Sequence, residues 1–191
     1  EFVCANDVVR GTGRAVYTQA LNSKGGIEGD FTVTQTEEEK FLIVTGTAFA
    51  HHDAGWLKKL RREHGFDEVS IEDITEKLAI FGIWGPKARE ILQGLTTSDM
   101  NSAAFPFMHS KEIVINKVTI RATRITYVGE LGWELYIPVE NALGIWELLF
   151  NAGGFPCGYR TIESLRLEKG YLAWGGEINT ENNPYEAGLS F

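Results

Sequence analysis

The amino-acid sequence predicts an α+β fold, in which antiparallel sheets pack against helices. Segments of alternating polarity, rich in β-branched residues, occur in pairs joined by short polar turns. Segments with apolar residues at helical spacing follow these pairs. The regular strand–helix–strand alternation typical of a doubly wound parallel sheet is missing.

The first part of the sequence predicts a group of strands followed by a helix. A first strand is expected at 15–21, and an antiparallel hairpin is expected from strands at 30–34 and 41–47. Asp53 stands where a helix N-cap would, before an amphipathic segment at 54–64. This order predicts a sheet with one helix packed on it.

The remainder of the sequence predicts a second group of strands interleaved with three helices. Pro86 is suited to the first position of a helix, and Gly153-Gly154 is suited to a helix end. Further strands are expected at 69–71, 77–84, 113–115, 118–125 and 134–137, and helices at 86–95, 139–151 and 162–172.

Composition narrows the class of protein. The chain has 191 residues and 43% hydrophobic residues, which is enough for a packed core and argues against disorder. The formal charge of −8, without an obvious basic face, predicts no nucleic-acid partner. No apolar segment is long enough for a membrane span, and Cys4 and Cys157 lack metal-site spacing, so no membrane and no metal are expected.

Domain organisation is predicted as one unit over 1–191, with two subdomains at about 1–75 and 76–191 as an alternative. The chain begins without Met and ends in apolar sequence, so we expect both ends to be cuts within a longer protein.

Asp30 is the first candidate for chemistry. Three glycines lie within the five residues before it, and such backbone can approach a ligand closely. The segment therefore predicts a carboxylate at the mouth of a strand, presented into a pocket. A plain hairpin turn with an acidic edge residue is the alternative, and residue types alone favour it.

Glu134 is the second candidate, because it falls among apolar and aromatic residues in a predicted strand. A buried carboxylate is costly unless it finds hydrogen-bond donors. The 2-amino group and ring N–H of a pterin would supply two roughly parallel donors. The alternative is a strand position that simply faces solvent.

Glu163 and Arg166 lie three residues apart in a predicted helix and are expected to form a structural ion pair. His51-His52-Asp53 superficially suggests a metal cluster, but no distant Cys or His pair supports it.

Several motifs, in this order, resemble the folate-binding domain of the glycine-cleavage T-protein (aminomethyltransferase) family. Each motif alone is weak, but seven in register over nearly the whole chain are strong support. They are Asn6-Asp7, the Tyr17 strand, Gly25-Gly26-x-x-x-Asp30, Gly85-Pro86-Lys87-Ala88, Tyr127-x-Gly129-Glu130-x-Gly132-x-Glu134, Ser164-Leu165-Arg166-Leu167-Glu168 and Asn183-Pro184-x-Glu186-x-Gly188-Leu189.

The resemblance implies specific roles for residues of the chain. Asp30 takes the place of the family's catalytic aspartate, and Glu134 that of its pterin-binding glutamate. Tyr17 and Tyr127 take places that line the folate pocket. The family's folate-contacting arginine aligns with a non-basic residue here, so Arg160, two positions away, is expected to substitute.

The branch of the family that this chain resembles is fused to flavin-dependent dimethylglycine and sarcosine dehydrogenases. That resemblance implies tetrahydrofolate-dependent one-carbon transfer, a methylated amine substrate, and FAD held by an upstream domain outside this chain. It also implies the mitochondrial matrix of a eukaryote or the cytoplasm of a bacterium. A non-catalytic scaffold related to these dehydrogenases and a stand-alone folate-dependent transferase or demethylase are the alternatives.

Overall fold

Two antiparallel β-sheets form the framework of the protein in a computed structural model that describes residues 2–190. One sheet has the strand order β1-β2-β3, and the other has the order β4-β7-β6-β5. Helices pack on these antiparallel sheets, so the α+β prediction is confirmed. The strands are β1 (Ala15–Leu21), β2 (Ile27–Glu37), β3 (Lys40–Val44), β4 (Leu78–Trp84), β5 (Ser110–Ile115), β6 (Val118–Thr123) and β7 (Gly132–Pro138).

Four α-helices accompany the sheets within the described residues. None of these helices is both long and apolar enough to cross a membrane. Short 3₁₀ turns occur at Thr47–Phe49, Thr75–Lys77 and Val139–Asn141. The α-helices are α1 (Ala50–Glu63), α2 (Ala88–Leu95), α3 (Ala142–Asn151) and α4 (Tyr159–Glu168).

The three-stranded sheet has an apolar back face and a polar front face. On its back face Phe31 and Val33 of β2 form a core with Trp56 and Leu57 of α1. Successive strand residues point to opposite faces, so the residues between these apolar ones face the front. The front residues of the paired strands include Tyr17, Gln19 and Asp30, with Gln19 directly opposite Asp30.

The four-stranded sheet is divided in the same way. Its back face carries the larger core, in which Trp133, Leu135 and Ile137 of β7 pack with residues of α2 and α3. Glu134 and Tyr136 alternate with these apolar residues, so they belong to the front face. Burying both back faces leaves the front faces available for chemistry.

A short backbone seam joins the two sheets. The N–H of Ala15 donates to the Met108 carbonyl at 2.9 Å, and the N–H of Ser110 donates to the Gly13 carbonyl at 2.8 Å. Arg14 and His109 pair between these bonds as an antiparallel bridge, so Ala15 and Ser110 project on the side opposite to them. The front faces of the two sheets are therefore continuous across the seam.

The first β-hairpin differs from its sequence-based prediction in where β2 begins. β2 begins at Ile27 rather than at residue 30, because its pairing with β1 continues through Gly29 and an irregularity to Ile27, which is opposite Leu21. Asp30 consequently lies inside a paired strand rather than at the mouth of one.

Several other elements also differ from prediction; α2, for example, begins at Ala88, two residues after Pro86. The helix α1 begins at Ala50, so Asp53 lies in its first turn as a buried residue and is not the N-cap. The helix α4 covers Tyr159–Glu168 rather than 162–172, because Gly170 adopts a positive φ and the Tyr171 N–H returns to the Arg166 carbonyl. No strand forms at 69–71 within the described residues.

The segment after α4 folds back onto the start of β2. The indole N–H of Trp174 donates to the Ile27 carbonyl at 2.8 Å, and the Ile27 N–H donates to the Asn182 carbonyl at 2.9 Å. A Cβ on Gly26 would collide with the backbone of Thr180, so glycine is required there. These contacts bring residues 171–182 beside the strand that carries Asp30.

Candidate functional site

Asp30 presents its carboxyl group on the front face, with hydrogen-bond donors from the neighbouring strand. The Gln19 side-chain amide donates to Asp30 Oδ1 at 3.3 Å, and the Tyr17 hydroxyl also bonds the carboxyl. Burial raises the pKa of Asp30 above its usual value, and the two hydrogen bonds oppose this shift. Asp30 is therefore a half-buried acid that takes up a proton at a higher pH than a surface aspartate does.

The register of β1 and β2 explains how these groups meet. Gln19 is directly opposite Asp30, and Tyr17 is opposite Thr32, one diagonal step away on the same face. Diagonal neighbours on one sheet face are within reach of long and aromatic side chains. Burial and the nearby Asp30 charge raise the pKa of the Tyr17 phenol, so Tyr17 stays a neutral donor.

Tyr127 lies in the loop between β6 and β7 and joins this neighbourhood. Its hydroxyl donates to the Leu172 carbonyl at 3.3 Å, and its ring stacks on Tyr171 with 6.4 Å between centroids. Burial is the main cause that raises the pKa of Tyr127, and the charge of Asp30 adds to it. Tyr127 is thus within electrostatic range of Asp30, without a described hydrogen bond to it.

Glu134 is a second carboxyl group of the front face, and one of its oxygens remains without a donor. The Tyr136 hydroxyl donates to Glu134 Oε2 at 2.7 Å. Within residues 2–190 no donor reaches Oε1. Trp133 Nε1 is the only polar side-chain atom of these residues that is both unpaired and fully buried, so the unpaired Oε1 is not fully buried. Glu134 Oε1 is therefore open to an outside donor. Burial raises the pKa of Glu134, while the Tyr136 bond lowers it.

The indole ring of Trp84, which the sequence did not point to, lies beside Glu134. The indole of Trp84 covers Gly82 and Gly132, since a Cβ at either glycine would collide with it. Gly82 is directly opposite Glu134 in the sheet, and the Trp84 N–H donates to the Ile125 carbonyl at 2.9 Å. The signal in the sequence is a glycine two residues before a tryptophan, on a strand that pairs with another glycine-containing strand.

Arg166 of α4 holds two carboxylates and one backbone carbonyl. Its guanidinium contacts Glu163 Oε2 at 2.9 Å and Glu177 Oε2 at 2.8 Å, and it donates to the Tyr171 carbonyl at 2.9 Å. Glu163 and Arg166 thus form an ion pair, which extends to Glu177. The network holds the segment 171–177 in place. This segment contains Trp174 and also the residues that Tyr127 contacts, Tyr171 and Leu172.

We expect Arg166→Met to lower the thermal unfolding midpoint by roughly 5–10 °C, because it leaves two carboxylates facing each other without their cation. Differential scanning calorimetry of the variant protein would measure the change. Arg160→Met provides a matched control on the same helix, and we expect it to shift the midpoint by less than about 2 °C. Equal losses from both variants would contradict the structural role of Arg166.

Arg160 is a predicted folate-pocket residue that makes no described contact with the other predicted residues. Its side chain is exposed near the start of α4 and forms no hydrogen bond or ion pair with any other residue of 2–190. Its proposed contact with folate stays a prediction.

The described contacts of the candidate site fall into two groups. Asp30 contacts Tyr17 directly and Tyr127 lies near both, whereas Glu134 makes its described side-chain hydrogen bond with Tyr136. The seam between the sheets places Asp30 and Glu134 on one continuous face. A groove of about 700 Å³ lies elsewhere, beside Glu28 and residues 180–186.

Comparisons with known proteins agree with this architecture. Dimethylglycine dehydrogenase, mitochondrial, of Rattus norvegicus is 37% identical over 195 residues, which cover 100% of this chain and 22% of that protein. An aminomethyltransferase of Geobacillus thermodenitrificans is 34% identical over 191 residues, or 97% of this chain and 51% of that protein.

The crystal structure of glycine cleavage system aminomethyltransferase T from Bartonella henselae has the same fold. It matches with a TM-score of 0.81 and 24% identity over 98% of this chain and 50% of that chain. The chain thus spans about a fifth of the dehydrogenase and half of the aminomethyltransferases. The family model described as the GCVT N-terminal domain matches residues 1–191, so the chain belongs to the GCVT N-terminal domain family.

Proposed function

We propose that this chain is the tetrahydrofolate-binding, one-carbon-transfer domain of an enzyme that oxidises an N-methylated glycine such as dimethylglycine or sarcosine. The observation that carries the proposal is the pair of half-buried carboxyl groups, Asp30 and Glu134, on one continuous front face. The relationship to dimethylglycine dehydrogenase supports the choice of substrate class. Because the chain spans only part of that relative, we place the flavin-dependent oxidation of the amine in a part of the protein outside residues 2–190.

Glu134 suits the pterin end of folate. Its Oε1 has no donor within residues 2–190, and each oxygen of an ionised carboxylate can accept more than one hydrogen bond. A pterin offers two neighbouring N–H donors with the spacing of a carboxylate. The Trp84 indole beside Glu134 offers an apolar surface for a flat ring.

Asp30 suits the reacting end. Bound tetrahydrofolate supplies the nitrogen atoms that accept the one-carbon unit. Asp30 would hold a negative charge beside the cationic iminium carbon of the oxidised amine, and it would accept the proton that a folate nitrogen loses on bonding to that carbon and pass it to the departing amine. Its raised pKa brings the carboxyl closer to neutral pH, which favours proton exchange.

Tyr17 and Tyr127 are proposed to line the pocket between these ends, with Arg160 as a contact for the more distant part of folate. Because the chain spans only part of the length of its relatives, we infer that other parts of the protein complete the pocket. The mitochondrial location of the rat relative supports the same location if the protein is eukaryotic.

A fluorescence titration of the intact protein with tetrahydrofolate tests the proposal. The chain contains five tryptophans, and Trp84 lies next to the proposed pterin site. We expect saturable quenching by tetrahydrofolate and none by p-aminobenzoylglutamate, which lacks the pterin. The proposal would be refuted if the two compounds gave the same response.

A further inference from the structure

Three titratable side chains, Glu28, His52 and Asp53, form a connected chain around the start of β2. His52 Nε2 lies 3.3 Å from Glu28 Oε1, and His52 Nδ1 lies 2.9 Å from Asp53 Oδ1. The Thr45 hydroxyl bonds the other oxygen of Asp53, and the Asn22 amide donates to Glu28 at 3.3 Å. His52 therefore bridges two carboxylates from different elements, α1 and β2.

The position of His52 is fixed from a third direction. Its ring stacks on the Trp174 indole with 5.8 Å between centroids, and that indole is anchored to the Ile27 carbonyl. The imidazole thus has a defined place between the helix, the strand and the segment after α4.

Asp53 is the member of this chain that packs behind the strand residue preceding Asp30. Only 5% of its side chain is exposed, and its Oδ1 lies 3.5 Å from where a Cβ on Gly29 would stand. Gly29 immediately precedes Asp30, and its missing side chain lets the Asp53 carboxylate approach the strand. Among the described residues, His52 is the ion-pair partner of Asp53.

We propose that His52 is a positioning residue that keeps the Asp30 carboxyl ionised by compensating the buried negative charge of Asp53. A buried anion without a cation disfavours ionisation of any other acid nearby. A positively charged His52 removes this penalty without touching substrate or folate. The inference rests on the proposed function, because Asp30 is the acid whose charge is preserved.

The charges around each group agree with this role. His52 is faced by Glu28 from β2 and Asp53 from α1, while the Trp174 indole is uncharged; hydrogen bonding to Asp53 is the main cause that raises the pKa of His52. Asp30 is faced on the front of the sheet by Tyr17 and Gln19 from β1. Asp53 of α1 lies behind Gly29, on the back of β2, and its charge adds to the causes that raise the pKa of Asp30.

The pH dependence of turnover tests the proposal. In His52→Gln the positive charge is lost, so the acid limb of the kcat profile should move to higher pH by roughly half a unit. Asp53→Asn should move the same limb to lower pH, because it removes the opposing charge. Structural damage would not produce opposite shifts. His52→Lys, which keeps a positive charge, should restore the wild-type limb.

His51→Gln is the matched control, because His51 is the adjacent residue of α1, is exposed, and forms no hydrogen bond or ion pair within residues 2–190. It should leave the profile unchanged. Tetrahydrofolate affinity, measured by tryptophan fluorescence, should also stay within about twofold in His52→Gln, since we assign folate binding to Glu134.

Thermal unfolding gives a readout that does not involve folate. Because the folded-state pKa of His52 is raised, its stabilising effect is complete below the usual pKa of histidine, about 6.5, and is lost as pH rises through the folded value. The difference in unfolding midpoint between wild type and His52→Gln should therefore shrink from pH 6 to pH 9. The corresponding difference for His51→Gln should stay near zero.

The possible outcomes separate the two proposals. A wild type that turns over, with an acid limb that His52→Gln leaves unmoved, would overturn the role of His52 alone. A wild type that binds no tetrahydrofolate would overturn both proposals. If His52→Gln fails to fold, Asp53→Asn carries the test, and an acid limb that Asp53→Asn leaves unmoved would also overturn the inference.

Discussion

Asp30→Asn is expected to lower the maximal rate of methylene-tetrahydrofolate formation by roughly 10²- to 10⁴-fold. The amide keeps the shape of the side chain, but it carries no negative charge and cannot accept the proton. Affinity for tetrahydrofolate should change by less than about threefold, because the pterin is assigned to Glu134. Rate measurements at saturating folate, paired with a fluorescence titration, would measure both quantities in the intact protein.

Stability separates a chemical effect of Asp30→Asn from misfolding. A raised carboxyl pKa contributes stability that is complete below the unfolded pKa and is lost as pH rises through the folded value. At neutral pH the ionised Asp30 therefore opposes folding, and the amide should raise the unfolding midpoint or leave it unchanged. Asp67→Asn, at an exposed acid after α1, is the control and should keep the wild-type rate. A large drop in midpoint, together with the rate loss, would contradict a catalytic role.

Glu134→Gln is expected to weaken tetrahydrofolate binding by roughly 10- to 100-fold, which corresponds to loss of about 1.5–3 kcal/mol from charge-assisted hydrogen bonds. The amide still accepts from Tyr136, but it presents one acceptor where the carboxylate presents two. Turnover at saturating folate should stay within about threefold of wild type. Isothermal titration calorimetry and steady-state kinetics would provide the two values.

Glu140→Gln, an exposed change just after β7, is the control for Glu134 and should leave affinity unaltered. The assignment of separate roles to the two acids fails if Glu134→Gln and Asp30→Asn change rate and affinity in the same proportion.

Local patterns were enough to predict much of the sheet structure. The strand at 15–21 was predicted with the observed bounds, because its alternating side chains and flanking glycines are local signals. The alternation in β7 likewise puts Glu134 on the face opposite to the core tryptophan at 133. Such features follow from a period of two and require no knowledge of tertiary contacts.

Features that depend on pairing and packing were not accessible in the same way. The glycines before Asp30 suggested a loop up to residue 30, whereas pairing with β1 extends the strand back through Gly29 to Ile27 and leaves only Gly25-Gly26 in the turn. Asp53 looked like a helix cap, but a 3₁₀ turn precedes α1 and the carboxylate is buried against β2. The contact between His52 and Glu28 joins residues 24 positions apart in the sequence, and no local signal encodes it.

The seam between Gly13–Ala15 and Met108–Ser110 gives the protein an unusual kind of adjustability. If Asp30 and Glu134 have the proposed roles, their separation depends on the few main-chain hydrogen bonds of this seam, to which neither side chain contributes. Small changes in twist at that joint would retune which length of substrate is accommodated, while leaving every group that touches it intact. Substitutions at the seam residues would thus alter specificity, although these residues do not contact the ligand themselves.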